Sequence, residues 1–248
     1  MKKTTNARML GAFQTTVFAL LFLTHSEFCA KGQFVVSLNA EKTAYVLGEP
    51  VFITASIMYN GRNTVEVNNP LDVGPYRESI EVATGGSSTF DRFTTRAEYS
   101  EARRDRMNPM PRLRFEPGTN VIREFVIHRW YRGMAPKGNT NILVFAKPGE
   151  AAIRFTVAYD GRAFTNEVRI IITEPASDAD REAWAWLQHR DRLEKFCELD
   201  YLPTDSTSKY GKEVRERMLK PLDDMLLNFR DSVYSKYMRR VAPERQLK

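Results

Sequence analysis

The sequence predicts a mainly β protein, in which an antiparallel β-sandwich is followed by a small α-helical C-terminal region. Three features favour this fold class. Residues 151–173 alternate between apolar and polar side chains around a tight turn, and several shorter segments before them alternate in the same way. After Pro175 the apolar spacing changes from that of a strand to that of a helix. With 248 residues, the chain is long enough to bury a sizeable core.

The clearest predicted element is a hairpin within residues 145–173. Ile153, Phe155 and Val157 fall on one face of an extended strand, and residues 162–173 return with apolar side chains at alternate positions. Asp160-Gly161 lies between the two strands and supplies residues that tolerate the positive φ angles of a two-residue type I′ turn. A face this apolar requires a second sheet to cover it.

The chain before the hairpin predicts that second sheet. Residues 51–59 alternate strongly, and Asn60-Gly61 predicts a hairpin that returns over residues 63–67. The other predicted strands are residues 33–39, 77–84, 121–130 and 141–146. About eight or nine short strands separated by turns are typical of a β-sandwich.

One motif carries a family resemblance. Residues 45–51 read Tyr-Val-Leu-Gly-Glu-Pro-Val and lead into the alternating strand that ends before Asn60. This stretch resembles the opening of bacterial immunoglobulin-like β-sandwich domains, and Pro148-Gly149 resembles the approach to their late strand. Ala151 stands where the family often has tyrosine. The resemblance covers about residues 34–175 and implies an immunoglobulin-like fold, without implying any chemistry.

Residues 176–248 predict a helical region. Ser177, with Asp180 three residues later, resembles a capping box, and apolar residues then follow a helical stripe. Residues 202–208 predict a linker, Pro221 should kink or restart a helix, and Asp231-Ser232 can cap the last one.

Residues 228–237 resemble the turn between the helices of tetratricopeptide-like units. Arg230 stands where proline is often found, and Ser235 stands where alanine is often found. A single half-unit is no repeat array. It indicates a helical appendage that packs on the sandwich or presents a surface to a partner.

Residues 1–30 indicate export. Lys2, Lys3 and Arg8 precede an apolar run over residues 9–23, which is shorter than the roughly 20 residues of a transmembrane helix. This pattern is typical of a secretory signal peptide, and an uncleaved anchor is the alternative. We expect a protein of the periplasm, cell surface or medium with no transmembrane span after leader removal. The formal charge of +6 is too mild to indicate a nucleic-acid partner.

A polar insertion is predicted near residues 85–114. Residues 91–114 contain seven arginines, among them Arg103, Arg104 and Arg106. Such insertions are often solvated loops, but sandwich proteins also place function in them. One hypothesis is therefore a proteinase-inhibitor-like module in which the arginines of the 91–114 loop mimic a substrate.

Trp130 and Tyr131 form a second candidate binding surface. They lie among arginines, which is a combination that can contact a glycan or a protein. The alternative is that both aromatic side chains cover the open end of the sandwich core. A glycan-binding module would require them to be exposed.

No stretch of the sequence predicts catalysis. After the leader, the histidines are His128 and His189, and neither lies near a nucleophile motif. Cys197 falls in a helical apolar pattern, which favours a buried and inert thiol over a nucleophile. Asp178 and Asp180 need no metal, because acids are favourable in the first turn of a helix. We therefore expect no enzyme, cofactor or metal, and a binding or scaffolding role with a protein or glycan partner at the cell envelope.

Overall fold

The computed structural model describes residues 34–68, 80–93, 112–130, 135, 141–201 and 209–243. These residues form a mostly β domain followed by helices, as the sequence predicts. The predicted signal peptide, Tyr131 and the three arginines Arg103, Arg104 and Arg106 lie outside the described residues.

The β domain contains two main sheets. One has the order β1-β3-β8, the other has the order β2-β10-β9-β5-β6, and β4 pairs separately with β7. All described pairings are antiparallel except that of β2 with β10. The strands are β1 Phe34–Ala40, β2 Ala44–Val46, β3 Val51–Tyr59, β4 Val65–Asn68, β5 Ile80–Ala83, β6 Asp91–Arg92, β7 Arg112–Phe115, β8 Asn120–Ile127, β9 Gly149–Tyr159 and β10 Arg162–Thr173.

The predicted hairpin is confirmed as β9 and β10. Asp160 and Gly161 have φ angles of 50° and 69°, and Tyr159 pairs with Arg162 across the turn. Ile153, Phe155 and Val157 are fully buried, as the alternation predicts. These side chains share one core with inward-facing residues of the other sheet, among them Val36, Ile53, Ile57 and Ile127.

The predicted Asn60-Gly61 hairpin is wrong. β3 is hydrogen-bonded to β1 on one side and to β8 on the other, so it has no edge left for residues 63–67. Residues 65–68 pair with β7 instead. Gly61 is required for another reason: a Cβ atom there would overlap the Tyr59 ring, whose hydroxyl donates a hydrogen bond to the Asn63 carbonyl at 2.6 Å.

Two other strand predictions change. β8 ends at Ile127 rather than Trp130, because the chain leaves β3 and pairs with residues 141–146 through the Arg129–Leu143 bridge. The predicted strand over 141–146 is wrong beyond that bridge. Leu143, Val144 and Phe145 are all buried, but the backbone bends around the bridge and forms no further strand pairing there.

The predicted insertion also needs correction at its ends. Residues 91–92 form β6 against β5, and residues 112–115 form β7 against β4. Phe93 and Phe115 are buried in the core beside these short strands. The buried side chains of Phe93 and Phe115 therefore hold both ends of the insertion on the β domain, where the sequence predicted a polar loop.

The C-terminal region contains five described α-helices. Ser177 and Ser232 cap two of them by accepting hydrogen bonds from the amides of Asp180 and Ser235, as predicted. Pro221 lies in a short 3-10 turn, Lys220–Leu222, that separates two helices. The helices are α1 Asp178–Leu187, α2 Arg190–Cys197, α3 Lys209–Leu219, α4 Asp223–Asn228 and α5 Val233–Val241. Within the described ranges, no helix combines the length and apolar character needed to cross a membrane.

Candidate binding pocket between the β domain and the helices

A tight turn between β2 and β3 forms one wall of the candidate site. The Glu49 amide donates to the Val46 carbonyl at 2.8 Å, and the Glu49 carboxylate accepts from the Val46 amide at 3.0 Å. Tyr45 is buried, and its hydroxyl accepts from the Lys42 amide at 3.1 Å and donates to the Phe52 carbonyl at 3.4 Å. The residues of the Tyr-x-x-Gly-Glu-Pro-Val motif thus fix the shape of this wall.

Gly48 is required by both its backbone and its surroundings. Its φ angle is +79°, a conformation that side chains with a Cβ atom rarely adopt. A Cβ atom at this position would also collide with the Trp184 ring of α1. The motif therefore brings the first helix directly against the backbone of the β domain.

The last helix, α5, forms the opposite wall. Tyr234 is fully buried, and its hydroxyl donates to the Leu47 carbonyl at 2.7 Å. Its ring stacks on Trp184 with centroids 5.9 Å apart. The Val233 amide donates to the Asp180 carboxylate of α1 at 2.8 Å. Two helices are consequently tied both to each other and to the turn.

His128 lies at the base of this junction. Its Nε2 atom is 3.1 Å from the Gly48 carbonyl, and the Cys197 Sγ atom of α2 is 3.8 Å from the same nitrogen. Burial lowers the pKa of His128 to about 3, so the imidazole is neutral at physiological pH and donates its Nε2 proton to the carbonyl. The Nδ1 atom is buried with no hydrogen-bond partner in the described part of the chain.

The Cys197 thiol is buried, as the sequence predicts. Rings of Phe196 and Tyr237 pack edge-on against His128, with centroids 5.3 and 6.0 Å from the imidazole. The Cys197 side chain has no solvent-exposed surface. The Cys197–His128 contact is therefore part of the packing between the helices and the β domain.

An open pocket of about 210 Å³ lies between the turn and α5. Its inner surface is mostly apolar, and charged side chains surround the mouth. The β domain and α5 both contribute to the lining, so the pocket exists only when the helices are docked. It is lined by Glu41, Lys42, Tyr45, Glu49, Pro50, Phe52, Val233, Lys236, Tyr237 and Arg240.

Of the charged side chains that line the pocket, four form two ion pairs and Lys236 stands apart from them. Lys42 forms an ion pair with Glu49, and Arg240 pairs with Glu41 at 2.6 Å. The Arg240 guanidinium also covers the Phe52 ring, 3.7 Å from its centroid. Lys236 is exposed, and its ammonium has no carboxylate partner among the residues that the structure describes.

The sequence-predicted site residues lie elsewhere. Trp130 is only 6% exposed and packs near Phe93 at a centroid distance of 6.1 Å, which favours the core-covering alternative over glycan contact. Arg103, Arg104, Arg106 and Tyr131 lie outside the described residues, so the inhibitor hypothesis stays a prediction. In the described part of the chain, no group of three or more His, Cys, Asp or Glu side chains is placed to hold a metal ion.

Sequence reasoning missed this pocket. The available signal was the Tyr-x-x-Gly-Glu-Pro-Val motif, whose resemblance to bacterial immunoglobulin-like domains indicated only a fold. The complementary signal was Val233, Lys236, Tyr237 and Arg240, which recur at helical spacing and therefore share a face of α5. Nothing in either pattern indicated that the two would meet.

Comparisons with known proteins do not identify the chain. No family model matches it, and no curated protein matches it. Partial similarity extends to a β-glucosidase from Erythrobacter marinus, with a TM-score of 0.33 and 16% identity over 57% of this chain and 16% of that one. The sporulation control protein Spo0M from Bacillus subtilis matches with a TM-score of 0.34 and 14% sequence identity, over 63% of this chain and 56% of that one.

A third similarity is to the alkylpurine DNA glycosylase AlkC from Pseudomonas fluorescens, with a TM-score of 0.34 and 11% identity over 61% of this chain and 33% of that one. The chain therefore spans about a sixth of the β-glucosidase, just over half of Spo0M and about a third of the DNA glycosylase. Scores this low carry no argument about the fold or function of this chain.

Proposed function

We propose that this chain is an exported, non-catalytic binding or scaffolding protein of the cell envelope, with an immunoglobulin-like β-sandwich and a docked helical region. The observation that carries the proposal is the open pocket at the junction of the two regions. Pockets between two structural units are common binding sites, because each unit contributes a different part of the wall.

The strand order supports an immunoglobulin-like sandwich. In the constant-type arrangement, strands A, B and E share one sheet, and strands C, F and G share the other. In chain order, β1, β3 and β8 match the first group, and β5, β9 and β10 match the second. The Tyr45–Val51 motif precedes β3, as it precedes the corresponding strand in the bacterial domains that the sequence resembles.

Two further observations support the export and the binding role. The leader pattern of residues 1–30 is typical of a signal peptide. The Cys197 and His128 side chains are buried and pack against each other, which favours a structural role for this contact over catalysis. The short turn between α4 and α5, which resembles that of tetratricopeptide-like units, presents α5 beside the pocket.

Capture from envelope extracts tests the proposal. The purified full-length chain is immobilised after export, and cross-linked partners are compared between the wild type and Val233→Trp, which fills the pocket. Leu227→Trp is the matched control, because Leu227 is 60% exposed on α4 and does not line the pocket. Circular dichroism confirms that both variants are folded.

We expect the wild type and Leu227→Trp to retain the same envelope protein, and Val233→Trp to lose it. Retention of nothing by the wild type would argue against a binding role at the envelope. Equal capture by all three proteins would show that the partner uses another surface.

A further inference from the structure

Lys236 distinguishes the pocket from a neutral apolar cleft. Among the described lining residues, Lys42, Lys236 and Arg240 stand against two acids, Glu41 and Glu49, which leaves a formal charge of +1. Both acids already form ion pairs: Glu49 pairs with Lys42 of the same wall, and Glu41 pairs with Arg240 of the opposite wall. Among the residues that the structure describes, the Lys236 ammonium is therefore the charge at the mouth that is left for a ligand carrying a carboxylate.

The inner surface selects for an apolar group. Pro50 and Val233 line the pocket beside the aromatic side chains of Tyr45 and Tyr237. A volume of about 210 Å³ is below the roughly 300–1,000 Å³ of pockets that enclose drug-sized ligands. It suits one side chain of a polypeptide better than a nucleotide or an oligosaccharide.

The aromatic walls do not offer a surface on which a sugar can stack. Tyr45 is 1% exposed and Tyr237 is 5% exposed. The Phe52 ring is covered by the Arg240 guanidinium. The accessible surface of the pocket is nevertheless mostly apolar. A peptide side chain needs only apolar contact, not a flat ring face, and is the better occupant.

Both walls are held before any ligand arrives. The Glu41 amide donates to the Phe52 carbonyl at 3.0 Å, which closes the turn on one side. On the other side, the Tyr234–Leu47 hydrogen bond fixes α5 against that turn. A pocket held in this way loses little conformational entropy when it binds, which favours even a small ligand.

We propose that this pocket binds an acidic peptide segment of a protein partner, with an apolar side chain inside the pocket and a neighbouring Asp or Glu carboxylate on Lys236. The proposal rests on the binding function proposed above and names the chemistry of its partner. Arg240 and Lys42 remain in their ion pairs and shape the mouth on either side of the entering chain.

The test is a titration of the isotope-labelled, folded chain with two blocked peptides, followed by the amide resonances of residues 44–52 and 233–241. The probes are acetyl-Gly-Leu-Asp-Gly-amide and acetyl-Gly-Leu-Asn-Gly-amide, which differ in one charge. We expect the Asp peptide to bind at about millimolar concentration and the Asn peptide to bind about fivefold to tenfold more weakly.

Lys236→Glu should weaken binding of the Asp peptide by about tenfold and leave binding of the Asn peptide nearly unchanged. Lys212→Glu is the matched control, since Lys212 is an exposed lysine of α3 that does not line the pocket. It should bind both peptides as the wild type does.

Equal affinity for the two peptides, or no shift in the pocket resonances, would overturn the inference. The two proposals fail separately. If Val233→Trp abolishes capture of an envelope partner while the Asp peptide fails to bind, the proposed function stands and the pocket binds a partner of different chemistry. If the Asp peptide binds at the pocket and no envelope protein is captured, the inference stands and the envelope role fails.

Discussion

The interior between the two sheets and the junction with the helices are stabilised by different kinds of contact. The interior contains aliphatic and aromatic side chains such as Ile57, Ile153 and Phe155. The junction instead places polar atoms of His128 and Tyr234 against backbone carbonyls. Apolar packing is non-directional, whereas each buried hydrogen bond specifies one partner atom. The Tyr234–Leu47 hydrogen bond therefore specifies where the last helix docks.

The pocket depends on a few directional contacts, whereas the interior of the β domain does not. The two sheets share many apolar residues, so the loss of one contact leaves the rest in place. The pocket walls are joined through Leu47, Gly48 and the side chains that contact them. Substitutions at these positions should affect the junction more than comparable substitutions in the β domain.

The largest expected effect is a pH dependence caused by His128. Its pKa is about 3 in the folded chain and about 6.5 in the unfolded chain, so between these values the unfolded state binds more protons. The free energy of unfolding is therefore unaffected by this histidine above about pH 6.5 and falls as the pH drops toward 3. The loss is about 2 kcal/mol at pH 5 and reaches about 5 kcal/mol below pH 3.

Urea denaturation of the wild type and His128→Gln across pH 7.5 to 4 measures this effect. The glutamine amide can still donate to the Gly48 carbonyl, but it does not titrate. We expect the wild type to lose about 2 kcal/mol more than His128→Gln by pH 5. His189→Gln, at the exposed histidine, is the control. Parallel pH profiles for the wild type and His128→Gln would show that His128 does not couple protonation to folding.

A smaller effect is expected at Gly48. Gly48→Ala should destabilise the fold by about 3 kcal/mol, because it combines an unfavourable φ angle with displacement of the Trp184 ring. Gly118→Ala is a matched control, since Gly118 has a φ angle of +82° and open space around its Cα atom. It should cost only about 1 kcal/mol.

Chemical denaturation of both glycine variants measures the difference, which isolates the Trp184 contact. In a Trp184→Leu background, the destabilisation caused by Gly48→Ala should be closer to that caused by Gly118→Ala, since the smaller side chain leaves space for the methyl group. Equal costs for Gly48→Ala and Gly118→Ala would mean that the helix does not contact the turn as described.

The smallest of the three effects is expected for Tyr234→Phe. Removing the hydroxyl leaves the Leu47 carbonyl without its 2.7 Å hydrogen bond and should cost about 1–2 kcal/mol. Tyr159→Phe is the control in the β domain, where the ring packs near Phe34 at a centroid distance of 5.4 Å. Thermal unfolding should show a clear loss for Tyr234→Phe and almost none for Tyr159→Phe; a reversed order would contradict the account.

The sequence predicted the elements that depend on local patterns. The β9–β10 hairpin follows from alternation and from Asp160-Gly161, and the two helix caps follow from Ser177 and Ser232. These features are determined by residues close together in the chain. The Asn60-Gly61 prediction failed because strand pairing depends on which edges are already occupied, and this is a property of the whole sheet.

The pocket depends on tertiary contacts that no local pattern specifies. Tyr234 lies 187 positions from Leu47, and Arg240 lies 199 positions from Glu41. The sequence predicted an amphipathic last helix and a turn motif, but not their contact. Trp130 illustrates the opposite error, because an aromatic side chain among arginines suggested a surface and is instead buried.

Amide hydrogen exchange in Tyr234→Phe and Tyr159→Phe tests most directly whether α5 is docked on the β2–β3 turn to form the pocket. If it is docked there, Tyr234→Phe increases exchange in residues 44–52 and 233–241, while β9 and β10 keep their protection. Tyr159→Phe should leave residues 44–52 and 233–241 unchanged. Unchanged exchange at the turn in Tyr234→Phe, or an equal increase throughout the β domain, would contradict the account.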